Sequence, residues 1–251
     1  MTKTKTSLRL GNQDMKQINF IMQNKGGVGK SMLTYLLALK HQRDAFDNGS
    51  NLDKILFSDG DILNLTTDRQ CKFLTIAHVN LMDKNQKFQR DKLLRSLEYF
   101  SKVEAEIIYI DFGASESGQF PALVSLDYTS DLFQDFAKNF DLEIIVNVVV
   151  AGGTSFIPCT DYLKNVVAAL GNKFTIKVWA NDWTFKNDSP ETLTELSTYC
   201  HKGKIMVNHF GNFDTDSSVG SEIINKIKFG SGFNDYDFIH KMTLRKELDR
   251  L

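Results

Sequence analysis

The feature that most constrains this fold is a short apolar run that leads directly into a glycine-rich loop and a helix-period segment. Ile18–Met22 has the composition of a buried strand, and Lys30–Arg43 carries leucines three to four residues apart, which predicts a helix. Glycines between them let backbone N–H groups point at one anion, and the helix N-terminus adds its positive dipole end. The sequence therefore predicts a phosphate-binding loop.

Two side chains of this loop have the chemistry needed to bind a nucleoside triphosphate and its metal ion. Lys30 is expected to reach the β- and γ-phosphates, and the Ser31 hydroxyl is expected to ligate Mg²⁺. The common pattern GxxxxGK[ST] requires glycine at position 24, where this chain has Asn24. The alternative is a glycine-rich connector that binds nothing. The predicted nucleotide-binding residues of the loop are Lys25, Gly26, Gly27, Val28, Gly29, Lys30, Ser31 and Met32.

Further apolar runs alternate with helix-period segments, which is typical of βαβ units. Besides Ile18–Met22, the predicted strands are Ile55–Ser58, Ile107–Ile110, Glu143–Val150, Phe174–Trp179 and Lys204–Val207. Besides Lys30–Arg43, the predicted helices are Arg90–Lys102, Pro158–Leu170, one that begins at Ser189–Pro190, Ser218–Lys228 and Tyr236–Leu248. We predict an α/β fold with a mostly parallel central sheet and helices on both faces. Residues 17–251 are expected to form one domain after a flexible tail, residues 1–16.

Composition narrows the function classes. The net charge of −1 over 251 residues excludes a polycation that coats nucleic acid, so any DNA contact must be local. Three cysteines without a CxxC pair argue against a disulfide framework or a zinc site. The longest apolar run, about Ile144 to Gly153, is too short to span a bilayer, and residues 1–15 lack the apolar segment of a signal peptide. A cytoplasmic location is the expectation.

Carboxylates follow two of the predicted strands. Asp59 and Asp61 come after Ile55–Ser58, and Asp111 ends the strand Ile107–Ile110 in the form of a Walker B motif. Ligands of parallel sheets bind at the carboxyl ends of the strands, so Asp111 is predicted to hold Mg²⁺ through water. The alternatives are a structural role for Asp111 and a plain surface turn at Asp59–Asp61.

Lys25–Ser31 matches the KGGxGK[ST] motif at every defined position, and here the chain resembles the ParA/MinD family of P-loop ATPases, which carry a deviant Walker A motif. The resemblance extends from Ile18 to about Thr184. It implies a P-loop NTPase fold, slow ATP hydrolysis stimulated by a partner, and a homodimer that forms on ATP binding. It also implies that Lys25 reaches across the dimer interface to the partner's nucleotide, so that Lys25 and Lys30 are both catalytic.

The same resemblance assigns roles beyond the loop. A DxD element after the second strand implies that Asp59 orients the attacking water and holds Mg²⁺ through water, with Asp61 in support. Ile62–Leu63 replaces the usual Pro-Gln there. Asn181, after the strand Phe174–Trp179, is implied to read the adenine, with an Asn-Asp turn as the alternative. Asp182 and Thr184 occupy positions that a guanine-reading NKxD would fill with Lys and Asp, which favours ATP.

Several tasks suit such an ATPase. In plasmid partition or stability, the dimer would hold non-specific DNA while a DNA-binding adaptor protein triggers hydrolysis. The candidate DNA contacts are Lys226, Lys228, Lys241, Arg245, Lys246 and Arg250, with a solvated helical face as the alternative. A conjugation accessory ATPase is a further candidate. Membrane cycling of the MinD kind would need an amphipathic anchor, for which the candidate stripe is Phe238, Ile239, Met242, Leu244, Leu248 and Leu251, although a helix docked on the core is favoured.

Other enzymes on this fold remain as alternatives. A nitrogenase-reductase-like protein would need cysteines that bridge a dimer through an iron–sulfur cluster, and Cys71, Cys159 and Cys200 do not have that spacing. Biotin-synthesis-type ligases also use a P-loop, but Lys25 favours the dimerising switch. A scaffold that binds nucleotide without hydrolysing it is the remaining alternative.

Overall fold

A computed structural model describes residues 15–61, 64–127, 129–214 and 216–251, and its centre is one seven-stranded sheet. The strands are β1 (Lys16–Met22), β2 (Ile55–Asp59), β3 (Ile76–His78), β4 (Ile107–Asp111), β5 (Leu142–Val150), β6 (Thr175–Asn181) and β7 (Met206–Phe210). Their order in the sheet is β3-β2-β4-β1-β5-β6-β7, and every neighbouring pair is parallel. The predicted mostly parallel α/β fold is confirmed.

Ten helices accompany the strands in the described parts of the chain. They are α1 (Lys30–Asn48), α2 (Thr66–Gln70), α3 (Arg90–Lys102), α4 (Ala114–Ala122), α5 (Ser130–Asn139), α6 (Phe156–Leu170), α7 (Asp182–Phe185), α8 (Pro190–Lys202), α9 (Ser218–Phe229) and α10 (Phe238–Leu248). The chain runs from β1 through α1 to β2 in one direction across the sheet, and from β4 through α4 and α5 to β5 in the other. Because parallel crossovers are right-handed, these helices lie on opposite faces.

The centre of the sheet is buried on both faces. β5 has the sequence Leu-Glu-Ile-Ile-Val-Asn-Val-Val-Val, and all of its residues except Glu143 are buried. β-branched side chains suit such a strand because they pack against the helices on either side. Asn147 is the polar exception, and its amide is satisfied because its oxygen accepts a hydrogen bond from the indole of Trp179 at 2.9 Å. A polar group at this depth is therefore compatible with the core.

A proline inside α4 is compensated by a tyrosine from α6. Pro121 has no N–H to donate to the carbonyl of Ser117, one turn earlier. The hydroxyl of Tyr162, which is almost fully buried, donates to that carbonyl at 2.9 Å. The helix then widens into a π-helical turn, Leu123–Asp127. This contact joins α4 to α6 beside the loop that follows β1.

Some elements differ from the sequence expectations. β3, α2, α4, α5 and α7 were not expected, α6 begins at Phe156 rather than Pro158, and the last strand is Met206–Phe210 rather than Lys204–Val207. β3 and α2 have three and five residues, too few to show a period. β1 begins at Lys16, within the segment expected to be a tail. The rest of that tail, residues 1–14, and the Ile62–Leu63 departure lie outside the described residues.

Candidate functional site

The loop between β1 and α1 has the backbone that its glycines permit. Gly27 and Gly29 have φ angles of 75° and 105°, which side-chain-bearing residues rarely adopt. Gly29 is also crowded, since a Cβ atom there would lie 2.7 Å from Nδ2 of Asn181 and 3.3 Å from Cζ of Phe210. α1 starts directly afterwards, with the Leu33 N–H donating to the Gly29 carbonyl at 2.9 Å. The loop thus leads into a helix N-terminus, as the sequence predicts.

This loop forms one wall of an open cavity of about 560 Å³ at the carboxyl edge of the sheet. Its other walls come from the segments that follow β2 and β4. The predicted site residues that line it are Gly26, Gly27, Gly29, Lys30, Ser31, Met32, Asp61 and Asp111. The predicted residues that do not line it are Lys25, Val28, Asp59 and Asn181.

Lys30 is buried among carboxylates at the base of the cavity. Lys30 as a whole is only 9% exposed to solvent. Burial lowers the pKa of Lys30, and the negative charges of Asp111, Asp61 and Glu116 oppose that shift. A cation held in this way has lost much of its hydration, so an anion that enters the cavity would gain a strong interaction with it.

Asp111, the last residue of β4, is 3% exposed. Burial raises its pKa to about 6, while hydrogen bonds from the hydroxyls of Thr67 and Ser31 oppose the shift. Its Oδ2 accepts from Thr67 Oγ1 at 2.6 Å, and its Oδ1 has no hydrogen-bond partner among the described residues. Mg²⁺ prefers oxygen ligands and usually keeps several waters. The Ser31 hydroxyl and the unsatisfied oxygen of Asp111 fit that ion.

Asp59, the last residue of β2, and Asp61, two residues later, have different surroundings. Asp59 is 1% exposed, and its oxygens accept backbone N–H bonds from Asp61 and Thr67 at 2.9 Å and from Asp68 at 3.2 Å. Burial raises its pKa, against the effect of these bonds. Asp61 lines the cavity and accepts from the side chain of Asn64. Asp59 thus holds the start of α2, whereas Asp61 faces the open space.

Glu116, in the first turn of α4, is a cavity residue that the sequence analysis did not single out. It is 4% exposed, and its Oε2 would lie 2.2 Å from a Cβ atom placed on Gly113. The carboxyl carbon of Asp61 would lie 3.0 Å from the same point, so both carboxyl groups lie over Gly113. Burial raises the pKa of Glu116, and the charge of Asp61 adds to that shift. The sequence offered one signal for Glu116: it is an acidic residue five positions after Asp111, near the start of a helix.

Asn181 supports the loop from the end of β6. Its Nδ2 donates to the Val28 carbonyl at 3.0 Å. Its Oδ1 is buried and has no partner within the described parts of the chain. Gly211, after β7, closes the other side, since a Cβ atom on it would lie 2.7 Å from that oxygen. The buried amide is therefore fixed, with one acceptor unused.

Lys25 lies at the mouth of the loop. Its residue is exposed, and its backbone N–H makes a long contact, 3.4 Å, with Oε1 of Gln23. Its ammonium group forms no ion pair with any described residue. Lys25 and Lys30 are therefore in opposite environments, one in solvent and one buried.

The candidate amphipathic stripe on α10 is partly buried and partly exposed. Leu244 and Leu248 are fully buried against the core, while Phe238, Ile239 and Met242 are more than half exposed. Three of the basic candidates are paired with acids: Lys226 with Glu222, Arg245 with Asp47, and Arg250 with Asp182. α10 is thus docked on the core and presents its apolar remainder to solvent. Within the described residues, no helix is long and apolar enough to cross a membrane.

Comparisons with known proteins give limited matches. The chain matches no protein-family model. It is 27% identical to protein TraL from Escherichia coli over 195 residues, which cover 76% of this chain and 74% of TraL. A crystal structure of a plasmid partition protein from Borrelia burgdorferi aligns with 85% of this chain and 97% of its own, with 14% identity and a TM-score of 0.44.

Proposed function

We propose that this chain is a Mg²⁺-dependent ATPase that works as a dimerising switch. The observation that carries the proposal is the cavity in which Lys30, Ser31 and Asp111 meet a glycine loop at a helix N-terminus. A nucleoside triphosphate requires backbone N–H groups and a cation for its phosphates, and oxygen ligands for its metal ion.

Each element of the cavity has a place in this function. Lys30 would make charge-assisted contacts with phosphate oxygens, which replace the hydration that burial has removed from its ammonium group. Ser31 and Asp111 would hold Mg²⁺, which neutralises charge on the phosphates when it is bound. Asn181 does not line the cavity and its Oδ1 is enclosed, so its contact with the amino group of adenine stays a prediction.

Two carboxylates are candidates to orient the attacking water. The role of Asp59 stays a prediction, and its oxygens are already engaged by three backbone N–H groups. Asp61 lies in the cavity wall beside Glu116, which supports Asp61 for the water and Asp59 for holding α2 in place. A water-orienting carboxylate must be within hydrogen-bond reach of the cavity, and Asp61 meets that condition.

Dimerisation is the second part of the proposal. Lys25, exposed at the mouth of the loop, forms no ion pair with any residue that the structure describes, and a triphosphate on a second copy would supply an anion. ATP would then join two copies, and hydrolysis would release them. In the cell, such a switch would serve plasmid partition, stability or transfer together with a DNA-binding adaptor.

The exposed residues Phe238, Ile239 and Met242 favour one alternative, in which the dimer cycles on a membrane surface instead of on DNA. The lysines nearby could contact lipid headgroups or DNA phosphates. Retardation of non-specific DNA without flotation on anionic vesicles would support the DNA role. Flotation without retardation would support the membrane role.

Nucleotide binding is tested by calorimetry with MgATP. Lys30→Ala removes one charge-assisted phosphate contact of about 2–3 kcal/mol, so its Kd is expected to rise roughly 30- to 150-fold. Lys40→Ala is the matched control, because it removes a lysine of the same helix that pairs with Asp44 outside the cavity. Equal ATP affinity for Lys30→Ala and wild type would refute the site.

Dimerisation is tested by sedimentation with a slowly hydrolysed ATP analogue. Wild type is expected to dimerise, and Lys25→Ala is expected to bind the analogue yet stay monomeric. Lys102→Ala removes an exposed lysine that pairs with Glu98 on α3 and serves as the control. A wild type that remains monomeric with saturating analogue, or a Lys25→Ala variant that dimerises normally, would refute the switch.

A further inference from the structure

A buried threonine of α2 links the carboxylates that end β2 and β4. Asp59 and Asp111 are register partners on these neighbouring strands. The backbone N–H of Thr67 donates to Oδ2 of Asp59 at 2.9 Å, and the Thr67 hydroxyl donates to Oδ2 of Asp111 at 2.6 Å. Thr67 is fully buried, so water does not compete for either bond. One residue thus gives its two donors to two carboxylates at adjacent strand ends.

The bond from Thr67 makes the two oxygens of Asp111 unequal. Oδ2 accepts the Thr67 hydroxyl, whereas Oδ1 is buried and has no hydrogen-bond partner within the described parts of the chain. Asp111 lines the cavity together with Ser31, whose hydroxyl also interacts with this carboxylate, but Thr67 does not line it. A buried carboxylate oxygen without a partner is unfavourable unless a ligand satisfies it. Thr67 therefore occupies one oxygen and leaves the other to the cavity side of Asp111.

The turn that leads to Thr67 has an unfavourable backbone. Leu65 has a φ angle of 45°, which residues with a side chain rarely adopt. Such a conformation persists only where the surrounding contacts fix it. Directly after it, the N–H groups of Thr67 and Asp68 donate to Asp59 at 2.9 and 3.2 Å. Asp59 thus holds the backbone of Thr67 in place, and the Thr67 hydroxyl in turn holds Asp111.

We propose that Thr67 is a positioning residue for the metal site, whose hydroxyl fixes the Asp111 carboxylate so that Oδ1 stays available to Mg²⁺ or to a water that the ion binds. This inference rests on the proposed function. Without the hydroxyl, the carboxylate can rotate about its terminal torsion, which is soft, and direct either oxygen elsewhere. Mg²⁺ demands nearly ideal octahedral geometry, so an oxygen that is not fixed holds it less well.

The experiment measures how much Mg²⁺ strengthens nucleotide binding. Calorimetry with a slowly hydrolysed ATP analogue gives one Kd in excess Mg²⁺ and one in EDTA, and their ratio is the gain that the metal provides. Thr67→Val keeps the shape of the side chain and the backbone N–H to Asp59, and it removes only the hydroxyl. Because groups that orient a metal ligand change metal affinity about 10- to 100-fold, the gain should fall about tenfold, while the Kd in EDTA stays within about twofold of the wild-type value.

Two further variants separate the hydroxyl from the packing around it. Thr67→Ser keeps the donor and should restore most of the gain. Thr34→Val is the matched control, because Thr34 is also fully buried and its hydroxyl donates to a backbone carbonyl within α1. If Thr67→Val does not fold in a thermal melt, Thr67→Ala removes the same donor, and its gain should fall as well.

A direct metal measurement and a double variant test whether Thr67 acts through Asp111. Mn²⁺ also takes oxygen ligands, and its electron paramagnetic resonance signal reports the free ion, so Thr67→Val with bound nucleotide should bind Mn²⁺ about tenfold more weakly. Asp111→Ala removes the acceptor of the Thr67 hydroxyl. In that background, Thr67→Val should cause no further loss of the gain, because the two side chains act as one unit.

Four results would overturn the inference while the proposed function stands. They are an unchanged gain in Thr67→Val, an equal loss of affinity in EDTA, an equal effect of Thr34→Val, and a further loss in the double variant. A wild type whose nucleotide affinity ignores Mg²⁺ would refute the metal site, and the inference would fall with it. A wild type that binds the analogue neither with nor without Mg²⁺ would refute the proposed function itself.

Discussion

Substitution of Asp59 should mainly lower the stability of the fold, whereas substitution of Asp61 should mainly lower the rate of ATP hydrolysis. Asp59→Ala leaves the N–H groups of Asp61, Thr67 and Asp68 without their acceptor; the bond from Thr67 is buried and the other two are part-buried. An unsatisfied buried donor costs about 1–3 kcal/mol and a partly solvated one costs less, so the change should destabilise the fold by about 3 kcal/mol. For a chain of this length, that corresponds to a fall in Tm of roughly 6–12 °C.

Asp61→Ala should behave in the reverse way. The side-chain hydrogen bonds that this change removes join Asp61 to Asn64, which is exposed, so the cost in stability should stay below about 1 kcal/mol. Because Asp61 lies in the cavity wall, loss of a water-orienting carboxylate should lower the rate of ATP hydrolysis about 100-fold or more. MgATP binding should persist, since Lys30 and Ser31 are intact.

The assay measures the thermal melt and single-turnover phosphate release for both variants, each checked for ATP binding by calorimetry. Asp59→Asn keeps one acceptor oxygen and should melt between Asp59→Ala and wild type. The reasoning fails if Asp61→Ala releases phosphate at the wild-type rate. It also fails if Asp59→Ala melts at the wild-type temperature.

Three further predictions concern pH, the loop and DNA. Burial lowers the pKa of His41 from 6.5 to about 4, so the folded protein binds this proton more weakly than the unfolded chain, and stability should fall by about 3 kcal/mol as pH falls from 6.5 towards 4. His41→Leu should flatten that slope in urea titrations, and a slope equal to that of the wild type would contradict this. Gly29→Ala should abolish ATP binding in calorimetry, because its methyl would collide with Asn181 at a φ angle of 105°, and Gly49→Ala, whose Cβ meets nothing within 4 Å, is the control. If Lys228, Lys241 and Lys246 contact DNA phosphates, retardation of DNA should require ATP and weaken steeply with salt. It should disappear when all three lysines are changed to Glu. DNA binding that does not depend on salt would contradict this.

The loop could be predicted from the sequence because its chemistry is local. Lys30 and Ser31 are adjacent in the chain, and the strand and helix on either side have clear periods. Asp111 could be placed beside them because parallel strands end at one edge. These three residues do line one cavity.

The residues that sequence reasoning missed depend on long-range contacts. Thr67 reaches Asp111 from a five-residue helix, and Glu116 lies over Gly113 only because α4 turns back at that point. α5 is different, since Thr129 as N-cap and the spacing of Phe133 and Ala137 offered a local signal.

The position of β1 in the middle of the sheet has a consequence for synthesis of the chain. β1 is made before the other strands that the structure describes, yet its neighbours are β4 and β5, and β5 ends at Val150. At about 5–20 residues per second, the ribosome needs on the order of ten seconds to travel from β1 to the end of β5. Until β4 has been made, the glycine loop extends from a strand with no partner in the sheet, and until β5 has been made that strand has only one. The loop is therefore synthesised long before the strands that hold it in place.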